Sequence, residues 1–302
     1  MSHVHANLPD LVRLQYDARG FSLLPKQPVD SLLSGRHASR LRGRGLLFEE
    51  LRGYRPGDDI RAMDWRATAR LRKPHVRVYS EERDRPVLLV VDQRATMFFG
   101  SQRTTKATAA TELAALAAWR AIDVGDRVGA IIFSEQEIVE VKPHRSRRNV
   151  LRICHELVRI NNQLEASQQS GASATLNQAL RRAAEVARHD HLVVLITDYD
   201  GDDETTQQLA TRLAAHNDVL AVLVYDPLGI HLPASGQMEA TDGQRRVAVP
   251  VGSRFHTQFE TAFRARADQI RQRLRSIRIP VLPICTHESV PQQVLTALGR
   301  RP

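Results

Sequence analysis

What is scarce in this chain narrows its chemistry first. Only two cysteines, Cys154 and Cys285, occur in 302 residues. They lie far apart, each inside a predicted apolar element, so two buried, reduced thiols are expected in preference to a disulfide or a metal pair. No apolar run approaches the roughly 18–20 residues of a membrane-spanning helix. The opening MSHVHANLPD lacks the basic-then-apolar order of a signal peptide, so a soluble, cytoplasmic protein is expected. Gly43-Arg44-Gly45 has no preceding strand and no third glycine, and no glycine-rich stretch leads into a Lys-Ser/Thr pair, so nucleotide binding is not expected. No Ser/His/Asp set has a nucleophile context. Apart from His3/His5, His189/His191 is the only close histidine pair, and its place at a helix-to-strand junction predicts solvated side chains.

What is present is positive charge and a strand-helix alternation. Lys and Arg number 43 against 34 Asp and Glu, a formal charge of +9, which permits anionic partners. The excess concentrates between Arg36 and Lys73, where Glu49, Glu50, Asp58, Asp59 and Asp64 stand among eleven basic residues. Within that block GYRPGDD (53–59) has the Pro-Gly punctuation of a tight turn. Ile60 to Leu71 reads as a short strand or helical turn docked by Trp65, and His75 to Glu82 alternates like a half-exposed strand. The block allows a nucleic-acid or anionic-surface binder with Trp65, Tyr54 and Tyr79 stacking. Internal pairs of Arg55 or Arg61 with Asp58, Asp59 or Asp64 are the competing expectation.

Beyond Asp84 the period becomes that of a mostly parallel sheet with helices on both faces. Strands are predicted at Val87–Val91, Arg127–Phe133, Leu192–Thr197, Val219–Tyr225 and Pro280–Cys285, with Ile138–Val141 as a hairpin partner and a hairpin over 237–249. Helices are predicted at Lys106–Ile122, Asn149–Ile160, Leu176–Ala187, Thr205–Ala215, Phe255–Ile277 and Val290–Leu298. In PVLLVVDQRATMFFG an apolar run stops at Asp92, and LVVLITDYDGDD repeats the pattern at Asp198. Two carboxylates should therefore emerge at one carboxyl edge, where open α/β sheets place ligand crevices. Ser173 and Thr175 add hydroxyls in reach of that crevice, and such oxygens suit Mg²⁺ or Mn²⁺. The competing expectation is that strand-end aspartates cap the next helix. Asp198, Asp200, Asp202 and Asp203 lack the spacing of a Ca²⁺ loop and read as an acidic helix start.

These residues carry a resemblance. Asp92-Gln93-Arg94-Ala95-Thr96, Thr175 and Ile196-Thr197-Asp198 are similar to the three segments of the metal-ion-dependent adhesion site of von Willebrand factor type A domains. RGYRPGDDIRAMDWRATAR (52–70) resembles the signature block of domain-of-unknown-function family fifty-eight, carried by Arg52, Tyr54, Pro56, Gly57, Asp58, Asp59, Arg61, Asp64 and Trp65. The resemblance implies a von Willebrand factor A-like (Rossmann-like) α/β domain over 85–302 behind an N-terminal strand-containing extension over 1–84. It also implies a non-catalytic adaptor or co-chaperone that works with a MoxR-type AAA+ ATPase on a client protein. In the resembling site the metal ligands would be Asp92, Thr96, Thr175 and Asp198. Arg94 departs from that pattern: a guanidinium has no acceptor and cannot ligate a cation. The expectation is a degenerate site in which Arg94 replaces Mg²⁺ and receives a partner's carboxylate directly. Nucleic-acid binding through 36–73 is the alternative, and a metal-dependent hydrolase the third reading.

Overall fold

The computed structural model describes residues 4–23, 46–55, 58–81, 85–165, 174–229, 238–241, 246–249 and 253–299. In chain order the elements are α1 (Leu8–Arg13), β1 (Leu46–Gly53), a 3-10 turn at Ile60–Ala62, α2 (Trp65–Leu71), β2 (His75–Glu81) and β3 (Val87–Asp92). A second 3-10 turn at Ala95–Met97 leads to α3 (Lys106–Asp123), β4 (Val128–Phe133), β5 (Ile138–His144) and α4 (Arg147–Asn161). Then come α5 (Ala174–Val186), β6 (Leu192–Thr197), α6 (Glu204–His216), β7 (Asp218–Tyr225), β8 (Met238–Thr241) and β9 (Arg246–Val249). The chain closes with α7 (Ser253–Ser276), β10 (Val281–Cys285) and α8 (Val290–Leu298).

Two compact units result, and their division differs from the expected break after residue 84. Residues 4–23 group with 85–299, and 46–81 form the second unit. The first residues join the larger unit because their apolar side chains complete its core. Leu11 and Phe21 are buried, Trp119 Nε1 donates to the Leu11 carbonyl at 2.9 Å, and Phe21 bridges to Gly299.

The larger unit is a six-stranded sheet in the order β10-β7-β6-β3-β4-β5, parallel throughout except for the antiparallel β4–β5 pair. β3 shows why its sequence has no polar alternation. Val87, Leu89 and Val91 face a layer with residues of α1, α3, α4 and α8, while Leu88 and Val90 face residues of α5, α6 and α7. A strand covered on both sides must be apolar at every position. The alanines of α3 let that helix lie close to the sheet, and Thr105 caps it by accepting from Thr108 N at 3.1 Å. Asp203 caps α6 in a reciprocal arrangement with Thr206, as the acidic helix start predicts. Both cysteines are free and buried, and burial pushes the Cys154 thiol up to about 12.

In the second unit β1 pairs antiparallel with β2, with an irregularity between Phe48 and Glu50. No pattern in the sequence marks β1 as a strand, and Trp65, expected to dock this segment, opens α2 at 66% exposure. The acids here serve the backbone: Asp59 accepts from Arg61 N at 2.9 Å, and Asp64 from Arg66 N and Ala67 N at 3.0 Å. Asp58 accepts from Arg55 N and takes a two-pronged ion pair from Arg52, at 2.9 and 2.7 Å. The pair partner is thus Arg52 and not Arg55 or Arg61. Pro56 and Gly57 lie outside the described residues, as does the turn of the expected β8–β9 hairpin.

Candidate functional site

The strand order reverses at β3: the chain runs from β3 outward to β4 and β5, then returns to β6 on the other side and continues to β7 and β10. The carboxyl ends of β3 and β6 therefore flank the crevice that such a reversal opens. Asp92 ends β3 and Asp198 follows β6 there. Tyr199, next in the chain, has φ +59. This left-handed turn is held by its amide donating to Thr197 Oγ1 at 3.1 Å and by Arg266 Nη2 donating to its carbonyl at 2.9 Å.

Each carboxylate already has its own cation. Arg94 Nε donates to Asp92 Oδ1 at 3.0 Å and Oδ2 at 3.1 Å, and Nη2 donates to Oδ2 at 2.7 Å. The Arg94 amide adds a bond to Oδ1 at 3.0 Å, and Thr197 Oγ1 donates to Oδ2 at 2.6 Å. Arg94 is 1% exposed and Asp92 0%. The guanidinium lies against the Phe133 ring, and Nη2 also donates to the Asp200 carbonyl at 3.1 Å. Asp198 Oδ2 accepts from Lys106 Nζ at 2.6 Å, and its Oδ1 accepts from Asp200 N at 2.9 Å.

Burial, the largest influence on Asp92, pushes its carboxyl above the ordinary value, against the pull of Arg94. Burial would lower Arg94, but the field and hydrogen bonds of Asp92 outweigh it and hold the guanidinium charged. For Asp198 burial is again the largest influence, yet Lys106 overcomes it and the carboxyl is lowered. The two acids differ because the negative charge of Asp198 adds to the upward push on Asp92, whereas Asp198 has the Asp200 amide and the field of Arg94 in addition to Lys106.

Of the residues singled out from sequence, Asp92, Arg94 and Asp198 converge, with Arg94 Nη2 3.9 Å from Asp198 Oδ1. No hydrogen bond links Thr96 or Thr175 to them among the described residues. Thr96 Oγ1 is buried without a hydrogen-bond partner in the Ala95–Met97 turn. Thr175 is half-buried in the first turn of α5, where Asn177 makes the polar contacts, to Asp203 and Thr206. Ser173 lies outside the described residues. As placed, these side chains do not fit a divalent cation, because both Asp92 oxygens are saturated by donors, and no group of three His, Cys, Asp or Glu side chains assembles among the described residues.

One expectation needs correction. A partner's carboxylate cannot reach Arg94, since the guanidinium is sealed and bonded within the chain.

Two residues were missed by sequence reasoning. Thr197 was quoted only as part of a segment, yet its hydroxyl ties β6 to Asp92. Lys106 carried a signal: a cation at the first position of a helix opposes the helix dipole, so its placement there calls for a nearby acid.

A third strand-end carboxylate lies further along the same edge. Asp226, after β7, accepts from Ser101 N and Oγ, Leu228 N and Thr286 Oγ1, at 2.9, 2.6, 2.9 and 2.5 Å. Gly100 permits that loop, because a Cβ there would meet the Thr104 carbonyl oxygen at 2.1 Å. The same loop leaves Phe99 46% exposed.

Residues 50–273, from β1 into α7, match the family described as Protein of unknown function DUF58. The chain belongs to this family. The signature block and Asp92, Arg94, Lys106 and Asp198 lie inside the match. Relatives include the uncharacterized proteins Rv1480 of Mycobacterium tuberculosis and Mb1516 of Mycobacterium bovis. Each is 30% identical over 270 residues, covering 89% of this chain and 83% of the relative. Among solved structures, the conserved hypothetical protein BatB from Bacteroides thetaiotaomicron aligns with a TM-score of 0.41 at 13% identity, over 70% of this chain and 95% of that one. Proximal thread matrix protein 1 from the mussel byssus aligns with a TM-score of 0.31 at 15% identity, over 47% and 38%.

Proposed function

We propose that this family member is a non-catalytic interaction module with a von Willebrand factor A-like larger unit, and that it works with a MoxR-type AAA+ ATPase on a client protein. The observation that carries this reading is the internal neutralisation of the sheet edge. Asp92 and Asp198, the two acids at the crevice, are held by Arg94 and Lys106. Arg94 takes the place of the cation in the resembling adhesion site and braces β3 against the turn after β6. A saturated carboxylate beside a permanently charged guanidinium offers neither a general base nor an acid, which is the argument against the hydrolase reading. What remains accessible on this edge is its rim, with Phe99 and the Asp200 side chain exposed, and the rim carries the contact to a partner.

Affinity purification of the full chain from its native host, with and without a non-hydrolysable ATP analogue, tests the partnership. An AAA+ ATPase retained in a nucleotide-dependent way supports the reading, and nuclease-sensitive material in its place overturns it. Calorimetric titration with Mg²⁺ and Mn²⁺ tests the role of Arg94. Saturable binding weakened by Asp92→Ala would refute it.

A further inference from the structure

The smaller unit carries a surface of the opposite kind. Asp59 and Asp64 are engaged by backbone amides, and Asp58 by Arg52 as well. Arg61, Arg66, Arg70, Arg72 and Lys73 are all exposed, and none forms an ion pair among the described residues. Between them stand three large apolar side chains in solvent: Ile60 at 62% exposure, Trp65 at 66% and Leu71 at 47%. Three of the nine exposed large apolar side chains among the described residues fall within this twelve-residue stretch, a concentration that singles it out as a contact segment.

We propose that the Ile60–Ala62 turn and α2 dock into an acidic, apolar-lined groove of a partner protein. Charge decides the sign of the partner: Arg61, Arg66, Arg70, Arg72 and Lys73, which form no ion pair among the described residues, outnumber the neighbouring Asp59 and Asp64 and favour an anionic counterpart. The apolar side chains decide its class. A phosphate backbone would neutralise the arginines but cover neither Ile60 nor Leu71. A bilayer needs one apolar face, whereas Trp65 and Leu71 project about 120° apart around α2 at 3.6 residues per turn. A protein groove can enclose such divergent side chains, and Trp and Arg are the residue types that most often dominate protein interfaces. The proposal rests on the interaction-module reading and supplies it with a surface that the sealed Arg94 does not.

The test places a photo-crosslinking amino acid at Trp65 or at the exposed Ala69 of the full chain in the native host. Adducts are identified by mass spectrometry, with Arg66→Glu/Arg70→Glu and Trp65→Ala as companion variants. The expected result is a protein adduct whose crosslinked peptide is rich in Asp and Glu. The adduct should fall about tenfold or more with charge reversal, and from the Ala69 probe also with Trp65→Ala. Adducts dominated by nucleic acid or lipid, an adduct indifferent to charge reversal, or no adduct at either position would overturn it. An acidic protein adduct that is neither an AAA+ ATPase nor its client keeps the docking surface and removes the ATPase partnership. Retention of the ATPase by the charge-reversed chain at wild-type level does the reverse.

Discussion

The sheet edge of the larger unit and the α2 face of the smaller one use the same residue types to opposite ends. At the edge each strand-end acid meets a side-chain cation or a set of donors: Arg94 on Asp92, Lys106 on Asp198, and Ser101 with Thr286 on Asp226. On the α2 face Asp59 and Asp64 accept from backbone amides, and Arg61, Arg66 and Arg70 form no ion pair among the described residues. A charged residue is therefore informative about function only after its partner is known. Where carboxylate and guanidinium are sealed together, the pair is architecture. Where exposed arginines outnumber the acids beside them and make no ion pair, they form a charged surface.

The contrast is sharpest in stability. Arg94→Met should destabilise the protein by about 3–5 kcal/mol in urea titration, because it leaves a buried carboxylate without its cation. Asp92→Asn in the same chain should recover part of that loss, and failure to do so would mean that Arg94 acts through packing and not through charge. Lys106→Ala should cost less, about 1.5–3 kcal/mol, since its side chain is 15% exposed and water replaces some of the bond.

A third test uses acid. Asp198 and Asp226 are lowered from 3.8, with burial the largest influence but outweighed by Lys106 in the first and by Ser101 and Thr286 in the second. Their stabilisation is complete above the unfolded value and is lost as pH falls below 3.8 through each folded value. Thermal melts across that range should therefore decline less steeply for Asp226→Asn than for the wild type. The smallest effect is expected on the α2 face. Trp65→Ala and Arg66→Glu/Arg70→Glu should change stability by no more than about 0.5 kcal/mol, as exposed substitutions without a cap or buried partner do. A large loss there would show that this face is structural and would erase the contrast.

Much of the fold was legible because its signals are local. Uninterrupted apolar runs at Val87–Val91 and Leu192–Thr197 identify strands covered on both faces, and the strand-end aspartates fall on the expected edge. The site was legible only in part. Arg94 beside Asp92 is two residues away in sequence, and a short reach makes such a pair inferable. Lys106 lies 92 residues from Asp198 and Thr197 lies 105 from Asp92, and no spacing rule connects them. Trp65 was expected inside because large aromatics usually are, but capping by Asp64 fixes the start of α2 so that the Trp faces water.

By itself the sequence determined the alternation of strands and helices, the carboxylates at the strand ends, the basic excess before Lys73 and the membership carried by the signature block. Burial pattern and turn chemistry are properties of neighbouring residues. Only the tertiary structure decided that residues 4–23 complete the larger core, that Arg94 is sealed and unavailable to a partner, that Lys106 neutralises Asp198, and which arginines form no ion pair among the described residues. Those outcomes depend on side chains brought together by sheet order and helix packing, and charge pairing is settled by distance in space and not along the chain.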